Sequence, residues 1–479
     1  MIRCIAILAA ASIGLGSLFG CGLYESPPSL EEVGTCGICG PCALGVINCA
    51  TNSCEFEGPW QGVLSGEMAC RDIVVVKAGA SDEQGGRLGE PVGSIERALE
   101  LATERDASAI ALIEDGQWQE EVVLGSGLTL IGGVDESLQP IDSRPRLIWE
   151  ADEEQVTALL VDGVSQRVDI VGLSIEGRGG VTNYGIRVVD SGQVVLRDLH
   201  VLAGPGGDGG DGEDGDDGAS GSVGGDGGAP SAWSQGSGGV NQACPAANGG
   251  DGGHGAMADM DPAQRGEDSP GGAAGRWGDG ADGFSVDDGS RGGVGGESYL
   301  EQGLWKRGAP GGDGEVGEHG IGGGGGGGGN VGDTGAGGGG GGGGAGGCGG
   351  EGGQGGENGG SSIGVLVQSS ELQIFNSEIV SSTGGDAGVG GEGGAGGQGM
   401  PGGAGASGVE TGQDGSDGGH GGQGGAGGDG GDGRGGNSYS LLCEKNTNIE
   451  INKVLLEHGE GGLQSQGQAD SSTGRGCSY

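Results

Sequence analysis

The sequence predicts a mainly β fold of stacked coils, interrupted by two long glycine-rich inserts. Three observations predict it. Four stretches of alternating apolar residues share one spacing, glycine returns at every third position over long runs, and large side chains are scarce. Of the 479 residues, 132 are Gly and only 3% are aromatic. That composition is too poor in large side chains for one ordinary core of this length.

The four stretches each contain two short alternating strands joined by a polar turn, and then one further apolar residue. In every stretch that last apolar residue lies seven positions after the third member of the set. Alternation at period two puts these side chains on one face of each strand. The predicted inward-facing sets are Leu159, Val161, Val168, Ile170 and Ile175; Ile186, Val188, Val194, Leu196 and Val201; Val365, Val367, Leu372, Ile374 and Ile379; and Leu441, Cys443, Ile449, Ile451 and Leu456.

One such unit cannot bury its apolar face alone, whereas stacked copies bury a continuous core. An antiparallel sandwich is the alternative, but a sandwich would not need the same spacing in every copy. The repeat resembles the right-handed parallel β-helix of the pectin-lyase type. This resemblance implies a short right-handed parallel β-helix and says much more about architecture than about activity.

The beginning of the coil region is similar to that of many secreted bacterial β-helix proteins. Residues 73–76 are predicted to form a strand, and a helix is predicted to follow Ser94, which would be its N-cap. The apolar face of this helix comprises Ile95, Ala98, Leu99 and Ala102. Two strand-sized apolar runs follow the helix. The resemblance implies that the helix caps the open end of the coils.

Glycine occupies every third position over residues 308–359, 390–408 and 412–436. Three hypotheses compete: a disordered tether, a collagen strand, and a packed bundle of threefold glycine helices. Composition alone favours disorder, because glycine loses the most chain entropy on ordering, but a disordered chain has no reason to hold such a register. Collagen also needs abundant proline, and Pro310 is the only proline within 308–359.

The bundle is the preferred hypothesis. An extended helix with three residues per turn makes no internal hydrogen bonds, so its amides can bond to parallel neighbours. Glycine then lines two contact ridges, and the third residue of each triplet forms a wet polar ridge. The all-glycine runs 322–329 and 337–344 are expected in the middle, with neighbours on every side. The blocks resemble the polyglycine-II bundles of some phage tail-tip adhesins and small antifreeze proteins, and the PGRS repeats of bacterial surface proteins.

The N-terminus resembles a bacterial lipoprotein signal peptide. Arg3 precedes an uncharged, mostly apolar stretch that is too short to favour a membrane span. The tetrapeptide LFGC that ends at Cys21 resembles a lipobox, although Phe19 is bulkier than the usual residue. The resemblance implies lipidation of Cys21, and Gly22 after it favours the outer membrane or cell surface. Plain secretion is the alternative.

A second group of cysteines lies just downstream, at Cys36, Cys39, Cys42, Cys49, Cys54 and Cys70. Exported thiols meet an oxidising compartment, so these six are predicted to form disulfides, in a pairing that sequence does not choose. A zinc or iron–sulfur site is the alternative for the CxxCxxC spacing. Four further cysteines are scattered along the chain, and two long-range disulfides among them are possible, although the sequence does not assign the pairs. These are Cys244, Cys348, Cys443 and Cys477.

The chemistry of an enzyme is not evident in the sequence. The net charge of −47 argues against a nucleic-acid partner. Polysaccharide-cutting β-helix enzymes use clustered acids with Lys or Arg, whereas the outward Asp169, Arg197, Asp198 and Glu450 are predicted to lie singly on a solvated face. No Ser-, Cys- or metal-based constellation is recognised. No cofactor is expected, although the Asp-rich opening of the first insert allows weak Ca²⁺ binding.

A few large side chains interrupt the first insert, and either structure or binding could explain them. The structural interpretation, which is preferred, is that they plug the end of the bundle; the functional one is that they stack on sugars or a partner. These residues are Trp233, Trp277, Tyr299, Leu300, Leu304 and Trp305.

The sequence therefore predicts a non-catalytic cell-surface lipoprotein with an adhesive or envelope-structural role. Its partners would be the membrane, through the lipid, and a polysaccharide or another cell surface. The alternatives are a carbohydrate-active β-helix enzyme and a passive, disordered spacer. The predicted divisions are a signal peptide (1–20), a linker (21–34), a Cys-rich segment (35–70), the first β-helix part (71–204), a glycine insert (205–360), one coil (361–383), a second insert (384–436), and a final coil with the tail (437–479).

Overall fold

The structure is a computed structural model that describes residues 46–48, 53–55, 73–87, 89–125, 127–136, 141–230, 235–256, 263–265, 275, 278–331, 334–444 and 447–463. The predicted signal peptide, the linker and most of the Cys-rich segment lie outside the described residues. Within the Cys-rich segment, strands β1 (Val46–Asn48) and β2 (Ser53–Glu55) pair antiparallel.

The rest of the described chain is mainly β, with one α-helix, α1 (Ile95–Arg105), between β3 and β4. The strands before the first insert are β3 (Ile73–Val76), β4 (Ala109–Ile113), β5 (Gln117–Gln119), β6 (Val122–Leu124), β7 (Thr129–Val134), β8 (Arg146–Glu150), β9 (Gln155–Asp162), β10 (Val168–Val171), β11 (Ser174–Arg178), β12 (Thr182–Val189), β13 (Gln193–Arg197) and β14 (His200–Ala203). The later strands are β15 (Tyr299–Glu301), β16 (Leu304–Lys306), β17 (Gly335–Ala336), β18 (Ser362–Gln368), β19 (Glu371–Phe375), β20 (Glu378–Ser381), β21 (Val409–Glu410), β22 (Ser438–Cys443), β23 (Asn448–Asn452) and β24 (Leu455–Glu457).

Three long sheets contain most of these strands, and all pairings within the three sheets are parallel. Sheet 1 has the order β23-β19-β13-β10-β7-β4-β3, sheet 2 the order β24-β20-β14-β11-β8-β5, and sheet 3 the order β22-β18-β12-β9-β6. From β4 onward the chain visits sheets 1, 2 and 3 in turn, and each strand pairs with its equivalent one circuit later. This arrangement is compatible with a parallel β-helix.

The predicted inward-facing sets are confirmed. Leu159, Ile186, Val365 and Leu441, the first members of the four sets, are aligned across sheet 3. Of the predicted inward residues, all are buried in one apolar cluster except Ile451 and Leu456, which are partly buried and pack against it. The core therefore runs through the stack of coils, as the shared spacing requires.

The predicted helix is also present, with one correction to its buried face. Ser94 caps it, and its side-chain hydroxyl accepts a hydrogen bond from the Arg97 amide at 3.2 Å. Leu101 is buried in the core, whereas the predicted Leu99 is only partly buried. Leu99 and Leu101 are both compatible with the helical spacing of the apolar face, and the packing of α1 on β3 and β4 determines which of them is buried.

The two inserts contain eight extended segments that form neither helix nor strand. They are segments 1 (206–228), 2 (235–241), 3 (248–256), 4 (279–296), 5 (308–331), 6 (337–360), 7 (384–408) and 8 (412–436). Backbone hydrogen bonds join them laterally throughout. We call this set of segments the glycine array. Because segments from both inserts bond to each other, the two inserts leave the coils on the same side.

Segment 6 is the centre of the glycine array. Consecutive amides along it donate to three different neighbours in turn: Gly341 to segment 8, Gly342 to segment 1 and Gly343 to segment 3, after which Gly344 returns to segment 8. Its carbonyls accept from segments 2, 5 and 7. Segment 6 thus has six hydrogen-bonded neighbours. The runs 322–329 and 337–344 are buried along their whole length, which confirms the expectation that they have neighbours on every side.

Close approach, rather than backbone freedom, accounts for the glycines of the array. A Cβ on Gly344 would collide with the carbonyl oxygen of Met400, and one on Gly353 with that of Gly391. Among the described glycines of the two inserts, only Gly303 and Gly335 have a positive φ. The remaining glycines occupy conformations open to other residues, so it is the missing side chain that the packing requires.

Two contacts fasten the inserts. The disulfide Cys244–Cys348, with a Cα–Cα distance of 5.7 Å, ties the turn between segments 2 and 3 to segment 6. Cys443, in β22, is disulfide-bonded as well. The hairpin of β15 and β16 packs Leu300 and Trp305 onto a second apolar cluster on sheet 3.

That hairpin corrects the predicted plug. Leu300 and Trp305 do not close the end of the glycine array; they anchor its first insert to the side of the coils. The Trp305 ring meets the Tyr439 ring edge-on at 5.5 Å, and the Trp305 amide donates to the Tyr184 hydroxyl at 2.8 Å. Trp233 and Trp277 lie outside the described residues.

Candidate functional site

Aspartate side chains of the glycine array accept hydrogen bonds from backbone amides of neighbouring segments, a role that composition does not reveal. Asp208 accepts a hydrogen bond from the amide of Asp386 at 2.8 Å, and the next residue, Gly209, donates to the carbonyl of that same Asp386 at 2.8 Å. An Asp-Gly pair thus binds both polar groups of one residue in the neighbouring segment. No further segment supplies a backbone carbonyl to the Asp386 amide. The Asp208 carboxylate takes the place of that carbonyl and accepts a charge-assisted hydrogen bond.

The same clamp repeats along two parallel contacts of the array, between segments 1 and 7 and between segments 4 and 8. Between segments 1 and 7 the capping side chain and the capped residue are always 178 positions apart, which fixes one register. Further caps there are Asp211 on Val389, Asp214 on Glu392, Asp217 on Ala395, Ser220 on Gln398 and Asp226 on Ala404. Between segments 4 and 8 they are Asp279 on Asp417, Asp282 on His420 and Asp288 on Ala426.

Antiparallel contacts use a related cap. Asp429 accepts from the Gly393 amide at 3.1 Å and Asp417 from the Gly405 amide at 2.8 Å. In segment 5, the His319 ring nitrogen Nδ1 accepts from the Gly349 amide at 3.0 Å. The polar ridge predicted to be merely wet is therefore a row of acceptors that satisfies edge amides. Where these caps occur, they make the exposed sides of the array polar and anionic.

An ionic group at sheet 1, in which Asp169 is buried and Arg197 and Asp198 are half-buried, corrects the predicted solvated face. Asp169 is only 4% exposed, and Arg167 holds its carboxylate with two bonds of 2.7 and 2.9 Å. Burial raises the pKa of Asp169, while Arg167 opposes that rise. Arg197 lowers the pKa of both Asp169 and Asp198, although burial raises the pKa of Asp198 overall. These three residues therefore form one electrostatic group rather than lying singly.

The group on sheet 1 is not arranged as a free acid and base. The Arg197 guanidinium lies 4.8 Å from the centre of the Phe375 ring, over its face. Asp169 is engaged by Arg167, so it is not free to take a proton from a substrate. Glu450 is exposed and accepts from Gln373 at 2.8 Å, which agrees with its predicted place on a solvated face.

Sheet 2 carries a row of residue types that the sequence analysis did not find. Ser174, His200 and Glu378 occupy one register position on three adjacent strands. The Ser174 hydroxyl lies 3.4 Å from His200 Nδ1, and His200 Nε2 lies 3.8 Å from a Glu378 carboxylate oxygen. The only available signal was the shared coil register, because the three residues belong to separate copies of the repeat.

The described contacts around the Ser174 row do not form a hydrolytic site. The amides of Ser174 and His200 donate to the carbonyls of Pro145 and Leu173, so neither is free to stabilise an oxyanion. A hydrogen bond of 3.4 Å is also long for a nucleophile and its base. The neighbouring Glu176 is paired with Arg146 and Arg178. The arrangement supports a polar, ion-paired sheet face.

The predicted cysteine sites are not tested by these contacts. Cys21, Cys36, Cys39, Cys42, Cys49 and Cys70 lie outside the described residues, and Cys54 lies in β2. Within the described ranges, no group of three or more His, Cys, Asp or Glu side chains could hold a metal ion. No helix in the same part of the chain is long and apolar enough to cross a membrane.

Comparison with known proteins gives no functional assignment. No protein-family model matches the chain, and neither a curated protein nor a solved structure matches it.

Proposed function

We propose that the protein is a non-catalytic cell-surface lipoprotein in which a right-handed parallel β-helix displays a rigid bundle of polyglycine-II-type helices for adhesion or envelope structure. Lipidation of Cys21 would hold it at the outer membrane, and a disulfide-linked segment at residues 35–70 would space it outward. The observation that carries this proposal is the hydrogen bonding of segment 6 to six neighbouring segments.

The lateral bonding supports a bundle over a disordered spacer. In a threefold extended helix, every third amide points to the same neighbour. The amides of segment 6 follow this pattern. Each hydrogen bond contributes about 1 kcal/mol net, whereas ordering costs about 1–2 kcal/mol per residue. The bundle therefore depends on being fixed at its ends by the coils, by the Cys244–Cys348 disulfide and by the hairpin of β15 and β16.

Display rather than catalysis is supported by the chemistry of the surfaces. The carboxylates of segments 1, 4 and 8 are used as amide caps, and Asp169 is held by Arg167. A rigid anionic bundle with regularly spaced side chains suits multivalent contact with a cell-surface polysaccharide. Its spacing of about 9 Å between equivalent side chains follows from three residues at about 3.1 Å each.

The test is a glycan and cell-binding screen of the chain with its coils kept intact. Gly344→Val should abolish binding because its side chain would enter the Met400 carbonyl, whereas Gly293→Val, at a glycine with open space around it, should keep it. The anchor is tested separately by labelling cells with palmitate. Cys21→Ser should remove the label and release the protein, and Cys4→Ser should change neither. Equal glycan binding by both glycine variants would refute the display role.

A further inference from the structure

One edge of the glycine array is incompletely capped. Segments 7 and 8 run side by side, and every third amide of segment 7 is directed to neither segment 6 nor segment 1. Near the ends of this contact, Asp side chains of segment 8 cap these amides. The capped amides belong to Gly390, Gly393, Gly405 and Gly408, and the caps are Asp432, Asp429, Asp417 and Asp414.

The caps stop in the middle of the edge. Segment 8 there carries His420, Gln423 and Ala426 in place of aspartate. Three partly exposed amides of segment 7 consequently have no hydrogen-bond acceptor within the described chain, and three carbonyls of segment 8 have no donor. We call these groups the open edge: the amides of Gly396, Gly399 and Gly402, and the carbonyls of Gly418, Gly421 and Gly424.

The open edge is also free of charge. The chain has a net charge of −47, yet residues 393–409 contain no Asp, Glu, Lys or Arg, and neither do residues 418–428. Like charges elsewhere on the surface oppose contact between two copies of the chain. Along the open edge that repulsion is smallest.

The chain itself demonstrates what such an edge binds. Closer to the coils, the stretch after β24 lies along the same pair of segments. Ala387 of segment 7 donates to the Leu463 carbonyl at 2.9 Å, and Gly462 donates to the Gly436 carbonyl of segment 8 at 2.8 Å. An added extended strand therefore accepts from segment 7 and donates to segment 8, which are the groups left unpaired in the open edge.

We propose that the open edge is a self-association surface, through which two copies of this chain pair edge to edge about a twofold axis. Each copy offers unpaired amides and unpaired carbonyls, so the edge is self-complementary, as an isologous interface must be. The capped edges correspond to the protected edge strands of β proteins, and the open edge to an unprotected one. The inference rests on the ordered bundle of the proposed function.

The experiment measures the oligomeric state of the full chain, with Cys21→Ser to exclude acylation, by sedimentation over a range of concentrations. The unaltered edge should give a dimer. Gln423→Asp adds a carboxylate at the position that would cap Gly399, and it should raise the dimer dissociation constant at least about tenfold. Val316→Asp is the matched control: it adds the same charge in segment 5, between the capping residues Asp313 and His319, and should leave the constant unchanged.

Amide exchange of residues 308–359 separates the possible failures. A monomer at every concentration, with these amides protected, overturns the self-association and leaves the proposed bundle standing. A dimer that Gln423→Asp does not weaken also overturns it, because the contact then lies elsewhere. Unprotected amides in 308–359 would overturn the bundle and the open edge together.

Discussion

Val223 lies opposite Pro401, and the pair explains the single gap in the caps of segment 1. The Gly224 amide donates to the Pro401 carbonyl at 3.0 Å, so Val223 occupies the place that Asp or Ser takes in the other triplets. Proline has no backbone N–H, so nothing there needs an acceptor. Segment 1 thus places an apolar side chain, rather than a cap, opposite the one residue of segment 7 in this contact that has no backbone amide.

The first prediction follows from this agreement. Asp214→Ala removes the acceptor of the Glu392 amide, so exchange of that amide should accelerate and the free energy of unfolding should fall by about 1 kcal/mol. Val223→Ala is the matched control and should change neither quantity, because it uncaps nothing. Hydrogen exchange of segment 7 is the measurement. Equal acceleration in both variants would mean that the side chains act by bulk rather than by accepting a bond.

A second prediction concerns the central glycines. Gly344→Ala places a methyl group against the Met400 carbonyl oxygen and should lower the free energy of unfolding by about 1–3 kcal/mol, the usual cost of overpacking. Gly293→Ala, with nothing within 4 Å of the added Cβ, should be neutral or slightly stabilising. Thermal unfolding of both variants checks this. Comparable midpoints would show that segment 6 is not packed on every side.

The sequence was sufficient for the parts of the fold that depend on local periodicity. Alternation and a constant spacing identified the inward residues from Leu159 to Leu456, because a stacked coil repeats the same demand at the same position. The glycine register likewise identified the buried runs. Leu101 was missed in favour of Leu99, since helical spacing permits both and only tertiary docking selects one.

The contacts between distant residues could not be predicted in this way. The cap of Asp208 on Asp386 depends on which segments are neighbours, and the pairing of Ser174 with His200 depends on the alignment of two coils. Neither contact can be predicted from the local sequence pattern. Asp169 was placed on a solvated face because alternation shows which side of a strand a residue occupies, but not what covers that side.

The third prediction concerns the Cys244–Cys348 disulfide, whose cysteines are 104 positions apart. Replacing both by serine frees the turn between segments 2 and 3, and the chain-entropy argument gives a loss of about 4–5 kcal/mol for a loop of this length. The loss should fall on the array and spare the coils. Hydrogen exchange should therefore increase in segments 2, 3 and 6 while β9 and β12 stay protected. A uniform increase would contradict the separate stability of the coils.

The fourth prediction is a pH dependence from Tyr184. Burial raises its pKa to about 12, from about 10 in an unfolded chain. Because the folded state holds the proton more tightly, the stability from the neutral phenol is complete below about pH 10 and is lost as the pH rises towards 12. Tyr184→Phe should flatten this alkaline decline. Since the Trp305 amide then lacks its acceptor, the variant should also lose about 1–3 kcal/mol at neutral pH.

Denaturant unfolding between pH 8 and about 12 is the measurement, with Tyr299→Phe as the control. Tyr299 is half exposed, so that replacement should leave the alkaline decline unchanged. A steep decline that survives Tyr184→Phe would assign it to another group.

The fifth prediction tests the proposed non-catalytic role at the row of Ser174, His200 and Glu378. A nucleophilic serine reacts with a fluorophosphonate, because its oxygen displaces fluoride while the base takes the proton. Ser174 is 3.4 Å from His200 Nδ1, and the amides of Ser174 and His200 are both engaged by backbone carbonyls, so we expect no labelling of the folded chain. Ser174→Ala should give the same background in mass spectrometry as the wild type. Stoichiometric labelling that disappears in both Ser174→Ala and His200→Gln would establish an activated serine and overturn the proposed non-catalytic role.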